Sequence, residues 1–232
     1  MGNLYLIRHG QASFGAADYD VLSTVGQRQA ELLGDFLAKA GIQLHRCVSG
    51  SLKRQQDTAR HALARLPQPP RLETHHGFDE FDAQGLIRAL LPGLLTNEPE
   101  AARVMRNASE HPVEFQRLFE RLVAQWLEGN AECASSESWA AFVSRTGDAL
   151  TSLLRGAAPG ENIAVFTSGG VITALLHRYT GLAPSEAFRL NWQIYNSSLS
   201  HLRFRGCDVT LVSFNGHAHL QLAQAPDLIT WR

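Results

Sequence analysis

Short apolar stretches alternate with longer segments of helical spacing along most of the chain. The pattern predicts strands at Tyr5–Ile7, at Arg46–Ser49 and in NIAVFTSGG, which begins at Asn162. The stretch RLETH, which begins at Arg71, is a shorter strand candidate. Strands that alternate with helices in this way are typical of a parallel sheet whose strands are joined by crossover helices.

The helical segments between these strands have recognisable ends. Thr24 is in position to cap the first helix, and Gly41 ends it. The second helix is predicted from about Leu52 to Leu66, and the helix after the Asn162 strand ends at Gly181. Near the C-terminus, SLSHLRF and VTLVSF flank RGCD, which indicates a hairpin.

The stretch 86–135 departs from this alternation. LIRALLPGLL is predicted to break at Pro92–Gly93, and PVEFQRLFERLVAQWLEG has apolar residues at helical spacing. A further helix is predicted from Trp139 to Leu154. We therefore expect a single domain over residues 1–232, with a helical insertion at 86–135 that packs over one end of the sheet.

Composition narrows the class of protein. The chain has 232 residues and a net charge of −1, so no basic excess favours a nucleic-acid partner. No apolar run reaches the roughly 20 residues of a membrane helix, and the N-terminus passes directly into a strand. The three cysteines form neither a disulfide framework nor a metal motif. We expect a cytoplasmic protein without membrane contact or structural metal, and no pattern indicates its oligomeric state.

Polar residues stand where the predicted strands end. Arg8 and His9 follow the first strand, Arg54 lies in the first turn after the second, and Ser168 and Gly169 follow the Asn162 strand. Because the carboxyl ends of parallel strands meet at one edge of a sheet, these residues are expected to line one pocket.

Two guanidinium groups, an imidazole and helix N-termini suit a dianionic phosphoryl group. Arginine matches phosphate oxygens with a planar fork, and helix N-termini add oriented N–H donors. Nearby positive charge lowers the pKa of an imidazole such as that of His9, and a neutral imidazole nitrogen can attack phosphorus.

Several motifs resemble one family in their order and spacing. LIRHGQAS, LSTVGQRQAELLG, SGSLKRQQDTA and VFTSGGVI are similar to the landmarks of the histidine phosphatase superfamily, the phosphoglycerate-mutase-like proteins. ESWAAFVSR and VSFNGHAHL are similar to its later landmarks. The resemblance implies a three-layer α/β/α sandwich with a mostly parallel sheet and a helical insertion.

The same resemblance implies roles for individual residues. His9 would be the nucleophile that accepts the phosphoryl group, and Arg8 and Arg54 would hold its oxygens. Glu80, in FDEFDAQG, matches the general acid, but the glycine that follows falls one place late, so Asp82 stays an alternative. The implied reaction forms a phosphohistidine that water then hydrolyses, with no metal or cofactor.

Two positions depart from the family pattern. Ser168 stands where the family usually has a second histidine before Gly-Gly, and it is either an N-cap or, with Gly169, a donor to the phosphoryl group. A serine supplies a neutral hydrogen bond in place of a charged one, which predicts lower activity. Phe14–Gly15 replaces the Trp-Asn pair usual in phosphoglycerate mutases, which makes the mutase reaction the least favoured.

Three functions follow in order of preference. The first is a metal-independent phosphomonoesterase that acts through a phosphohistidine on a small phosphorylated molecule. The second is a weakly active or inactive protein that binds a phosphorylated ligand or inorganic phosphate and regulates another process. The third is a phosphoglycerate-type mutase.

Overall fold

The computed structural model describes residues 1–13, 20–95, 101–107, 110–129 and 137–231. The chain forms two compact units. The first contains Met1–Glu80 and Arg145–Arg232, and the second contains Phe81–Ser144. Among the described helices, none combines the length and the hydropathy that a membrane span requires.

The first unit is built on a sheet that is mostly parallel. Its strands, within the described residues, are β1 (Gly2–Arg8), β2 (Arg46–Ser49), β3 (Leu72–Thr74), β4 (Asn162–Thr167), β5 (Leu199–Arg205) and β6 (Asp208–Gly216). They lie in the order β3-β2-β4-β1-β5-β6. The first four strands of that order are parallel, and β5 and β6 form an antiparallel hairpin at one edge. The predicted strands and the hairpin are confirmed.

Helices join and cover these strands. They are α1 (Thr24–Lys39), α2 (Lys53–Leu63), α3 (Ala83–Leu95), α4 (Ala101–Arg106), α5 (Pro112–Leu127), α6 (Trp139–Arg155), α7 (Gly169–Thr180), α8 (Pro184–Asn191) and α9 (Ala218–Leu222). Two short 3-10 helices occupy His76–Phe78 and Pro226–Leu228. Gly181 ends α7 with a φ of 74°, a left-handed conformation that glycine adopts without strain.

Both faces of the sheet are covered. On one face, β1, β2 and β4 present apolar residues to α1 and α2, and the cluster includes Tyr5, Ile7, Leu33, Leu37, Cys47, Ala59, Leu63, Ala164 and Phe166. The alternate strand residues Leu4, Leu6 and Val165 are fully buried on the other face. Because α7 is buried over residues 169–176 and contacts β1, this face is also covered. The fold is the three-layer α/β/α sandwich implied by the sequence.

Three features of the helices differ from the predicted ones. Helix α2 ends at Leu63 and not near Leu66. Ser23, and not Thr24, caps α1, because the Ser23 hydroxyl accepts a hydrogen bond from the backbone N–H of Gly26 at 3.0 Å. Pro92 lies inside α3 and does not break it. A proline inside a helix costs about 3 kcal/mol, but Leu90 and Leu94 on either side are buried on one stripe of α3, and such tertiary packing stabilises a helix through an unfavourable residue.

The second unit has an aromatic core of its own. The ring centroids of Phe81 and Trp126 lie 4.8 Å apart, and those of Trp126 and Trp139 lie 5.2 Å apart. The indole N–H of Trp126 donates to the carbonyl of Glu137 at 2.8 Å. Residues 96–100, 108–109 and 130–136 lie outside the described residues. The organisation of the chain as one domain with an insertion at 86–135 stays a prediction.

Candidate active site

The carboxyl ends of β2, β4 and β1 lie side by side in the sheet. The last paired residues of β1 and β4 are Arg8 and Thr167. His9 and Ser168 follow that pair on the two strands, and the backbone N–H of His9 donates to the carbonyl of Thr167 at 2.8 Å. The sheet therefore brings His9 and Ser168 to neighbouring positions at one edge.

The imidazole of His9 is buried and held in one tautomer. Its Nδ1 lies 2.8 Å from the carbonyl oxygen of Gly10, and only 5% of the residue is exposed. Because a carbonyl oxygen only accepts, Nδ1 carries the proton and donates it. The lone pair is consequently on Nε2, which accepts a hydrogen bond from Nε of Arg54 at 3.3 Å.

The environment keeps this imidazole neutral. Burial, the positive charge of Arg54 and that of Arg8, in that order, hold the pKa of His9 well below its ordinary value of 6.5. The hydrogen bond to Gly10 opposes this shift. At neutral pH the ring is uncharged, and a neutral imidazole nitrogen that keeps its lone pair is the form that can act as a nucleophile.

The geometry of α2 explains the spacing of Arg54 and Thr58 in the motif SGSLKRQQDTA. Arg54 and Thr58 are four residues apart and lie on one face of the helix. Arg54 faces His9, and its Nη1 donates to Asp20 at 2.7 Å. The Thr58 hydroxyl accepts from the N–H of Gly10 at 2.9 Å and donates to the Arg54 carbonyl at 2.6 Å. One helical turn thus holds both the ring of His9 and the backbone that follows it.

Two glycines let the segments around His9 approach each other closely. A Cβ atom on Gly10 would lie 2.4 Å from the carbonyl oxygen of Gly26, at the start of α1. A Cβ atom on Gly26 would lie 2.1 Å from the carbonyl oxygen of Gln11. Because any side chain at either position would displace backbone atoms, glycine is required at both.

Arg8 reaches toward the C-terminal segment and toward α7. Its Nη1 donates to the carbonyl oxygens of Ile194 and Trp231, the latter at 3.0 Å. Its Nε lies 3.8 Å from the position that a Cβ atom on Gly169 would occupy. Arg8 is therefore placed beside the N-terminus of α7, on the side where Ser168 precedes it.

Ser168 does not use its side chain as a helix cap. The residue is fully buried and stands at the N-cap position of α7 with extended backbone, but its hydroxyl makes no capping hydrogen bond. The hydroxyl instead accepts a hydrogen bond from Nε2 of Gln55 at 2.8 Å. The N-cap interpretation of this side chain is wrong, because Gln55 of α2 engages the hydroxyl.

Glu80 lies at the N-terminus of α7. Its Oε2 accepts a hydrogen bond from the backbone N–H of Gly170 at 3.1 Å. The preceding Asp79 accepts from the Ser51 hydroxyl at 2.7 Å, and Nη1 of Arg145 donates to the carbonyl of Asp79 at 3.1 Å. These contacts fix the segment that carries Glu80.

Asp82, the alternative acid, has a structural role of its own. Its Oδ1 accepts a hydrogen bond from the N–H of Gly85 at 2.8 Å, which is the geometry of an N-cap on α3. Asp82 belongs to the second unit, whereas Glu80 belongs to the first.

Comparison with known families identifies the relatives of the chain. The sequence matches the family described as histidine phosphatase superfamily (branch 1) over residues 4–114 and 106–217. The chain belongs to the histidine phosphatase superfamily. No curated protein matches its sequence. The family match confirms the resemblance drawn from the sequence motifs.

Solved structures share the fold of this chain over nearly its whole length. Phosphoglycerate mutase from Bacillus anthracis is 17% identical, with 97% of each chain covered and a TM-score of 0.65. Phosphoserine phosphatase from Entamoeba histolytica is 18% identical over 95% of this chain and 100% of that one, with a TM-score of 0.65. Mycobacterial glucosyl-3-phosphoglycerate phosphatase is 20% identical over 93% and 99%, with a TM-score of 0.64.

Sequence reasoning missed several residues that support His9. The side-chain amide of Asn196 and the backbone N–H of Ser197 both donate to the carbonyl of His9 at 3.2 Å. The Ser197 hydroxyl in turn lies 2.9 Å from Nε2 of the buried His219. The sequence offers only the polar run Asn-Ser-Ser directly before a strand, and its meaning comes from the structure, where all three residues are buried and need specific partners.

Within the described ranges, no group of three or more His, Cys, Asp or Glu side chains could hold a metal ion. His75 and His76 are adjacent in the sequence and could suggest a metal site. His75 instead accepts a hydrogen bond from the N–H of Gly77 at 2.9 Å and so stabilises a turn.

Proposed function

We propose that this protein is a phosphomonoesterase that acts through a phosphohistidine at His9. The observation that carries the proposal is the state of that imidazole. It is buried and neutral, its Nδ1 proton is engaged by Gly10, and its Nε2 lone pair faces the guanidinium of Arg54. A lone pair held next to a group that binds phosphate oxygens is the arrangement that phosphoryl transfer to nitrogen requires.

The neighbouring groups bind the phosphoryl oxygens in this proposal. Arg8 and Arg54 supply guanidinium donors, and the N-terminus of α7 at Gly169 supplies backbone N–H groups and a favourable dipole. Ser168 adds a neutral hydroxyl. Positive charge on two sides stabilises the charge of the transferring group, which is where electrostatic catalysis has its largest effect.

The proposed reaction has two displacements. Nε2 of His9 forms a bond to phosphorus while the bond to the leaving oxygen breaks, and Glu80 gives its proton to that oxygen. Water then attacks the phosphorus of the phosphohistidine, Glu80 takes a proton from it, and the P–N bond breaks. His9 regains its lone pair and inorganic phosphate leaves, so that atoms and protons balance over the cycle.

The substrate is proposed to be a small phosphorylated molecule. Structural neighbours include a phosphoserine phosphatase and a glucosyl-3-phosphoglycerate phosphatase, and these names support a small phosphate monoester. A phosphoglycerate mutase is also among the neighbours. Phe14–Gly15, which disfavour the mutase reaction, lie outside the described residues.

The test is hydrolysis of p-nitrophenyl phosphate in buffer with EDTA. We expect turnover by the wild type, loss of at least about a thousandfold in His9→Ala, and no loss in His61→Ala, a matched histidine on α2. The reaction cannot be quenched with acid, because phosphohistidine hydrolyses in acid. The intermediate is therefore trapped at alkaline pH and detected as an added phosphoryl mass. Activity that survives in His9→Ala would contradict the proposal.

Ser168 favours a second candidate, a protein that binds a phosphorylated ligand but turns it over slowly. The hydroxyl is a neutral donor at a position where the family usually has a histidine, and neutral hydrogen bonds are roughly half as strong as charged ones. Phosphate binding by the wild type without hydrolysis would support this candidate. If Ser168→His then restores turnover, the missing charge accounts for the low activity.

A further inference from the structure

Gln55 joins Ser168 to the segment that carries Glu80. It follows Arg54 in α2 and is fully buried. Its Nε2 donates to the carbonyl of Phe78 at 3.1 Å and to the hydroxyl of Ser168 at 2.8 Å.

The orientation of this amide is fixed by its surroundings. If the oxygen and nitrogen exchanged places, Oε1 of Gln55 would face the carbonyl oxygen of Phe78, and two acceptors would oppose each other. The nitrogen must therefore face both Phe78 and Ser168. Each of its two N–H groups then has one acceptor, so both donors of Gln55 are used.

This orientation determines which way the Ser168 hydroxyl can act. Its oxygen accepts the hydrogen bond from Gln55, so its proton points away from Gln55 and is available to another acceptor. The residue directly precedes Gly169 at the N-terminus of α7, which favours anions. An oxygen of a bound phosphoryl group is an acceptor suited to that proton.

The oxygen of the Gln55 amide indicates that this side chain has a role other than stabilising the fold. Oε1 of Gln55 is buried and, within the described part of the chain, has no hydrogen-bond donor. A Cβ atom on Gly50 would lie 1.9 Å from Oε1, so only glycine leaves room for it. A buried acceptor without a donor destabilises the fold, and such a group in a native structure calls for an explanation.

We propose that Gln55 is a positioning residue that fixes the Ser168 hydroxyl as a hydrogen-bond donor to the phosphoryl group. The proposal rests on the phosphatase function proposed above and extends it. Gln55 acts through Ser168 and does not itself touch the phosphoryl group. Without Gln55, the Ser168 proton can turn toward other acceptors, and the donor is no longer held in place for the transition state.

A double-mutant cycle tests the proposal. The variants are Gln55→Met, Ser168→Ala and the double variant, and the readouts are kcat and KM for p-nitrophenyl phosphate. We expect each single variant to lower kcat by about tenfold or more, with KM changed less than kcat. We expect the double variant to be no slower than Ser168→Ala alone, because the proposal gives Gln55 no effect on the reaction except through Ser168, and an additional effect through Phe78 would make it slower.

Thermal unfolding separates positioning from a merely structural role. Methionine is similar in length to glutamine but has no buried acceptor to leave unpaired. The carbonyl of Phe78 keeps the hydroxyl of Thr167, which donates to it at 2.7 Å. Because Gln55→Met also takes the donor from the buried Ser168 hydroxyl, the comparison is made in the Ser168→Ala background, where we expect Gln55→Met to leave the unfolding temperature unchanged or higher and kcat unchanged. A parallel fall in both would contradict the positioning role.

The outcomes distinguish this inference from the proposed function. Suppose that the wild type is active and that adding Gln55→Met lowers kcat as much in Ser168→Ala as in the wild type. Gln55 then does not act through Ser168, and only the inference fails. If the wild type hydrolyses nothing, the proposed function fails. The same cycle is then measured by calorimetric titration with inorganic phosphate. Coupled losses of affinity support the inference, whereas independent losses, no losses or no binding overturn it.

Discussion

The residues that follow β1 and β4 each accept a hydrogen bond from α2, but the donor is charged at the end of β1 and neutral at the end of β4. Consecutive residues of α2 reach the two ends: Arg54 donates to His9 after β1, and Gln55 donates to Ser168 after β4. At the first end burial, and after it the positive charge of Arg54, lower the pKa of His9 and keep its ring unprotonated. At the second end a neutral amide faces a hydroxyl.

The difference shows how one helical turn can prepare two neighbouring groups for different tasks. A charged donor lowers the pKa of its partner, so that His9 offers a lone pair. A neutral donor cannot deprotonate a hydroxyl, but it occupies the oxygen and so directs the proton elsewhere. In the proposed mechanism the residue after β1 attacks the phosphoryl group, and the residue after β4 donates a hydrogen bond to it.

The largest expected effect comes from removing the charge at the β1 end. Arg54→Gln removes one of the causes that lower the pKa of His9, so that pKa rises and the protonated, inactive ring persists to higher pH. We expect kcat to fall by about a hundredfold to a thousandfold, and the acid limb of the pH profile of kcat/KM to move to higher pH.

Arg54→Lys is the matched control for this change. Lysine keeps the positive charge but lacks the planar fork, so kcat should fall while the acid limb moves less than in Arg54→Gln. An acid limb that stays in place in Arg54→Gln would show that burial and Arg8 suffice to keep His9 neutral.

The next effect concerns the acid and depends on the leaving group. A nitrophenolate leaves readily without a proton, whereas an alkoxide needs one. Glu80→Gln should therefore lower kcat/KM for an alkyl phosphate by about a hundredfold or more and kcat/KM for p-nitrophenyl phosphate much less, because kcat/KM reports the first displacement and not the hydrolysis of the phosphohistidine. The comparison of the two substrates at one pH measures the effect.

Asp82→Ala decides between the two candidate acids. It removes the cap of α3 and is expected to lower the free energy of unfolding by about 1 kcal/mol, with little change in kcat for either substrate. If Asp82→Ala, and not Glu80→Gln, shows the dependence on the leaving group, Asp82 is the acid.

The sequence predicted those parts of the molecule that depend on local pattern. β2 has the predicted bounds, Arg46–Ser49, because a short apolar run bounded by polar residues has few alternatives. The common edge of the residues after β1, β2 and β4 followed from parallel strands with helical crossovers.

Features that depend on distant partners were not predictable in this way. Ser168 has the local pattern of an N-cap, but a residue 113 positions away in the sequence engages its hydroxyl. Pro92 has the local pattern of a helix break, but the packing of Leu90 and Leu94 holds α3 together. In both cases a tertiary contact outweighs a local preference of about 1 to 3 kcal/mol.

The last effect concerns stability behind the β1 end and not activity. His219 is buried and bonded to Ser197, whose N–H holds the carbonyl of His9, and burial together with His217 lowers the pKa of His219 to about 4. Between pH 6.5 and pH 4 the unfolded chain binds a proton at His219 that the folded chain does not. His219 therefore contributes its full stabilisation of the folded chain above pH 6.5. As the pH falls below 6.5, this contribution to the free energy of unfolding decreases by up to about 1.4 kcal/mol per pH unit. His9 adds a loss of the same sign, because its pKa is also lowered.

His219→Gln, which keeps a polar partner for Ser197, should remove only the part of the pH dependence that comes from His219. Urea unfolding at pH 7, 6 and 5 measures the difference between the two proteins, and equal pH dependence in both would show that His219 does not titrate differently in the folded and unfolded chains.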